Sequence, residues 1–134
     1  MKLEPAPYNK TPRENYDLAD WPAPWHSEIE RMLTLVAYLE DEVAFPVVRA
    51  SYSHENLIIA PADRSWTLWI SPSVPAGAPA NAIYMLRCPL SKPWHHVSAY
   101  AANLEDVGRI LTALINGKVE LAVDYTLHSA HEPD

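Results

Sequence analysis

Between residues 47 and 101 the chain breaks into short runs rich in β-branched and aromatic residues, and on both sides of that block the apolar spacing changes to a helical period. The resulting order is helix, five strands, helix, strand. Strands grouped between helices imply an α+β domain, with two helices laid on one face of a mainly antiparallel sheet of about five to six strands. PVVRASYS and NLIIA, on either side of the turn SHEN, predict a hairpin over 47–60. WTLWI at 66–70, AIYMLRC at 82–88 and WHHVSAYA at 94–101 supply the next three strands. The five residues PLSKP between the last two suit antiparallel neighbours. The 71–81 loop, with Pro72, Pro75, Gly77 and Pro79, is long for a small domain, a length that functional or mobile loops often have.

The helices carry their own signals. In SEIERMLTLVAYLEDEVAF, Ser27 and Glu30 have the spacing of a capping box, and Ile29, Met32, Leu33, Val36, Leu39 and Val43 follow the helical stripe. A helix over about 28–43, ending before Pro46, is expected. Its last turn holds Glu40, Asp41 and Glu42, against the sense of the helix dipole. In NLEDVGRILTALINGK, Asn103 is the expected N-cap, and Val107, Ile110, Leu111, Leu114 and Ile115 form the apolar face. Gly108 inside that helix costs up to about 1 kcal/mol relative to alanine, and close packing is the usual reason. KVELAVDYTL at 118–127 then alternates as a strand does. Were it to run parallel to the 94–101 strand in one sheet, the helix between them would be a right-handed crossover.

Residues 1–26 hold five of the 13 prolines, interleaved with Tyr8, Tyr16, Trp21 and Trp25. Proline disfavours helix there, so an extended or turn-like arm is expected, and its rings need a surface of their own domain or of a partner subunit. The chain of 134 residues reads as a single domain: arm 1–26, α+β core 27–127 and C-terminal tail 128–134.

Charge and motifs exclude several functions. A net charge of −7 lacks the footprint of a nucleic-acid binder, so no direct nucleic-acid binding is expected. An acidic surface suits a basic partner or mimicry of a nucleic acid, and also plain solubility. No apolar run approaches a membrane span and no apolar h-region stands near the N-terminus, which reads as cytoplasmic. One cysteine, Cys88, forms no internal disulfide and reads as a small core residue. With three glycines there is no phosphate-binding loop or dinucleotide fingerprint, and neither HExxH nor GxSxG occurs. No cofactor and no metal is expected.

The histidines are the remaining chemical suspects. Strand alternation puts Trp94, His96, Ser98 and Tyr100 on one face and His95, Val97, Ala99 and Ala101 on the other, so His95 and His96 do not converge on one ion. His96 reads as part of an aromatic and polar surface; a general base or a metal ligand would need partners that the sequence does not supply. His128, His131 and Glu132 have a spacing that suits adventitious metal binding at most. His54-Glu55 and Asp63-Arg64 fit turns.

Five Trp and seven Tyr stand against one Phe, a balance that favours interfaces over a plain core. Trp69 opposes Trp66, Leu68 and Ile70 on its strand. The sequence therefore predicts a small acidic interaction protein without catalysis, of inhibitor, immunity or regulatory type, which also allows a homodimer. The protein partner would be bound by Trp94, His96, Tyr100 and Trp69, with Glu40, Asp41 and Glu42 as an acidic rim. The alternatives are a small enzyme or ligand-binding protein with a pocket between the sheet and the 71–81 loop, using His96, His54 or Tyr100, and a nucleic-acid mimic.

Overall fold

Each β-rich run forms a strand that pairs with the one before it. The structure, a computed structural model, describes residues 1–43, 47–89, 95–115 and 125–129, with the backbone alone at 89, 95–97, 114–115 and 125–129. β2 (Val48–Ser53) and β3 (Asn56–Ala60) make the expected hairpin, and β4 (Leu68–Ser71), β5 (Tyr84–Pro89), β6 (His95–Ala101) and β7 (Tyr125–Ser129) follow as antiparallel neighbours. β1 (Leu3–Pro5) adds a parallel strand beside β2, so the seven strands lie in chain order. The result is the expected α+β domain with a mainly antiparallel sheet.

One face of this sheet is the floor of the core. Leu57, Ile70, Leu86 and Ala99 form a straight row across four strands, and Ala50, Ile59 and Leu68 form the next; all are buried. α2 (His26–Glu42) lays Ile29, Met32, Leu35, Val36 and Leu39 on that floor, and α3 (Leu104–Ile115) adds Val107, Ile110 and Leu111. Each fully buried side chain of this size contributes about 1.5–3 kcal/mol. Gly108 shows the close packing expected of it: a Cβ there would stand 2.8 Å from the Tyr38 hydroxyl. Asn103 caps α3, its Oδ1 accepting from the Asp106 N–H at 2.9 Å.

The arm folds back on its own domain. Tyr16 is fully buried, its hydroxyl donates to the Glu55 carbonyl at 3.0 Å, and its ring meets Tyr52 edge-on and Trp21 stacked. Tyr52 in turn donates to the Lys10 carbonyl at 2.8 Å. The arm is more structured than an extended run: besides β1 it contains α1 (Pro12–Asn15) and two 3-10 turns, Leu18–Asp20 and Ala23–Trp25. Of its four rings, Tyr8 stays fully exposed and Trp25 is about two-fifths exposed, at 41%.

Two further expectations are corrected, and one stated condition is not met. The Ser27/Glu30 capping box does not form, because the 3-10 turn leaves Trp25 already helical at φ −94° and ψ −4°, and α2 begins at His26. Ser27 instead donates to Glu28, while a capping box stands at Thr11 and Glu14 at the start of α1. β6 and β7 are antiparallel, so the crossover condition does not arise. The predicted tail begins too early, since His128 and Ser129 belong to β7. Residues 118–124 of the predicted last strand, and 130–134, lie outside the described residues.

Candidate functional site

Strand alternation that sends Leu57, Ile70 and Leu86 to the core sends their neighbours to the other side. There the register aligns Ser51, Ile58, Trp69, Arg87, Ser98 and Thr126 across six strands, with Ser71, Met85 and Tyr100 in the adjoining row. Both long helices belong to the core on the opposite side, so among the described elements this face carries no helix. Ile58, Trp69, Met85, Arg87 and Tyr100 are half-buried and stand outside the core, and Ser98 beside them is buried.

At the centre of the face, the Arg87 guanidinium carbon lies 5.2 Å from the centroid of the Trp69 ring. Such a cation–π contact contributes about 0.5–1 kcal/mol where water reaches it and more where it does not. The ion pairs among the described residues are Lys2–Glu4, Arg13–Glu40 and Arg109–Asp106. Arg87 takes part in none of them.

Of the residues predicted to bind a partner, Trp69 and Tyr100 lie on this face, and the backbone of His96 holds a register position opposite Pro89 and His128. Trp94 is outside the described residues. The structure does not bring Glu40, Asp41 and Glu42 to the same surface. They close α2 on the far side of the sheet, where Glu40 accepts from Arg13 at 3.1 Å. Ile58, Met85 and Arg87 were missed by the sequence reading. Their signal was an arginine in mid-strand: in AIYMLRC, Arg87 alternates with Leu86, which marks the side away from the core.

On the helix side, an open groove of about 880 Å³ runs between α2 and the start of α3. Arg31, Thr34 and Tyr38 form one wall, Asn103 and Glu105 the other, and Ile83 lies between them. Arg31 donates to the Pro72 carbonyl at 3.1 Å, and Tyr84 donates to the Arg31 carbonyl at 2.8 Å, which ties the helix to the sheet and to the start of the 71–81 loop. His54 and Tyr100 do not line this groove. His54 sits in the β2–β3 loop at φ 56°, which a two-residue hairpin requires at its first position. Asp63 accepts from the Ser65 N–H at 3.0 Å, a turn contact. Cys88 packs against the core, and burial pushes its thiol pKa up, away from thiolate chemistry.

Among the described residues no three His, Cys, Asp or Glu side chains converge as a metal site would require, and no helix is long and apolar enough to cross a membrane. No family model, curated protein or solved structure matches the chain, so its function is read from these residues alone.

Proposed function

We propose that the chain is a non-catalytic protein-interaction module, of the inhibitor, immunity or regulatory kind, that receives a protein partner on the sheet face opposite α2 and α3. The observation that carries this reading is Arg87 held over Trp69 at the centre of a face where Ile58, Met85 and Tyr100 are half-buried outside the core. Arginine and aromatic residues are the side chains enriched where protein meets protein. Size supports the same reading. Seven strands about 4.8 Å apart and some five residues long present a flat area on the order of 500 Å², before side-chain relief is added. A standard interface takes about 800 Å² from each partner.

The occupant is a different protein with an acidic, partly apolar contact surface. Face-to-face stacking of a second copy would bring two Arg87-bearing faces together on chains that each carry −7. The acidic rim proposed from the sequence is no part of this surface, because Glu40–Glu42 belong to the helix layer.

Capture of the partner from the source cell, followed by hydroxyl-radical footprinting of the complex, tests the reading. Trp69, Met85 and Tyr100 are expected to lose reactivity on binding, with Trp25 unchanged. Protection of Trp25 or Tyr38 instead, with Trp69 still reactive, would move the interface to the helix layer and end the proposal.

A further inference from the structure

We infer that the partner's contact centres on an Asp or Glu side chain flanked by apolar residues, its carboxylate seated on Arg87. This inference rests on the interaction reading and adds its chemistry.

Arg87 differs in its surroundings from the other arginine on the face. Arg49 has Glu4 directly opposite it across β1 and β2. The cross-strand neighbours of Arg87 are Trp69 and Ser98, and the next positions around it are Ser71, Met85, Pro89, His96 and Tyr100. None of them carries a carboxylate. While the face is open, water serves the guanidinium. Any partner that covers Trp69 also strips that water, and a charge left unpaired in a closed interface is strongly destabilising. The partner must therefore bring an anion to this point or be rejected by it.

The donor set narrows the anion. With its guanidinium carbon 5.2 Å from the Trp69 ring centroid, Arg87 offers a planar fork of N–H donors, which a carboxylate matches with two parallel hydrogen bonds. Ile58 on one side and Met85 on the other offer apolar contact, so the epitope is a carboxylate among aliphatic or aromatic groups rather than a run of acids. Arg87 is thus a specificity determinant, with Trp69 as the ring that positions it.

A random dodecapeptide display library, panned on the full chain, supplies the probe. The expected result is enrichment of peptides with one Asp or Glu beside Leu, Ile, Phe or Trp. Synthetic copies should weaken by about 10- to 100-fold when that acid becomes Gln, and similarly on Arg87→Gln, with circular dichroism of the variant unchanged. Enriched peptides that need Trp69 but bind Arg87→Gln as well as the parent would overturn the carboxylate seat and leave the face standing. Acidic peptides that ignore both Trp69→Ala and Arg87→Gln would overturn the face itself. Failure of any peptide to enrich counts against the seat. So does micromolar binding of single-stranded oligo-dT at physiological salt, which would transfer the Arg–Trp pair to nucleic-acid stacking.

Discussion

Replacing Tyr16 with Phe removes one hydroxyl from the anchor of the N-terminal arm and leaves the ring in place. The ring is fully buried, and the hydroxyl donates to the Glu55 carbonyl at 3.0 Å. Losing that bond, with the carbonyl left in a part-buried site, costs about 1–2 kcal/mol at neutral pH. Alkaline solution changes the sign of the comparison. Burial first, then Tyr52 and Glu55, raises the Tyr16 pKa well above its ordinary value. The folded chain therefore keeps a proton that the unfolded chain loses above about pH 10. Stability from this group is complete below that pH and falls above it, by about 1.4 kcal/mol per pH unit for Tyr16 alone. The Phe variant lacks this slope, so its deficit at pH 7–9 should close about one pH unit above 10 and then reverse. Urea unfolding followed by far-UV circular dichroism at pH 7, 9, 10.5 and 11.5 measures the gap. A gap that stays constant across this range would refute the argument, because Tyr16 would then titrate in the fold as it does in the unfolded chain. Tyr52 and Tyr84 also have raised values, each chiefly from burial, and add an alkaline slope common to both proteins.

Two other substitutions test the helix layer. Gly108→Ala gains up to about 1 kcal/mol of helix propensity but drives a methyl group against the Tyr38 hydroxyl. It should be neutral or destabilising in the parent yet stabilising by about 1 kcal/mol on a Tyr38→Ala background; equal effects on both, by urea unfolding, would show that the contact is not tight. Asn103→Ala removes the acceptor for the Asp106 N–H and should cost about 1 kcal/mol, a loss that Asn103→Asp or Asn103→Ser largely avoids.

Much of the architecture was legible because period alone carries it. The runs at 47–60, 66–70, 82–88 and 94–101 became β2 to β6, and Asn103 and Gly108 took the roles their positions implied. The first helix shows where letters fail. Ser27 with Glu30 and Thr11 with Glu14 match the same capping pattern, and the structure uses the second. What decides is the backbone before the cap. Thr11 is extended, at φ −64° and ψ 157°, whereas Trp25 enters α2 already helical through the turn that Pro22 and Pro24 set up. The site divides in the same way. Alternation within one strand gives the common face of Ser98 and Tyr100, but Arg87 joins Trp69 only through the β4–β5 register, which no single strand encodes. The rim of Glu40 to Glu42 failed to join that face because distance along the chain says nothing about which side of a sheet a helix covers.

That failure bears on the partner's charge. The total of −7 taken alone suits a basic partner or mimicry of a nucleic acid, and equally plain solubility. The charges are not spread evenly, however. α2 and α3 carry Glu28, Glu30, Glu40, Asp41, Glu42, Glu105 and Asp106 against Arg31 and Arg109, while among the described residues the charged strand positions of the opposite sheet face are Arg49 and Arg87 against Glu4. A helix is about 10 Å across, so groups on its outer side are at least that far from a partner seated beyond the sheet. Screening at physiological salt acts over about 8 Å. The acids of the helix layer thus set solubility and the long-range approach, and the charge that a docked partner meets is that of Arg87. Binding through the sheet face should accordingly weaken as salt rises while favouring an acidic partner, a pairing of observations that total charge alone would not predict. A partner that is strongly basic at its contact surface, with its affinity reduced by salt, would place the interface on the helix layer instead.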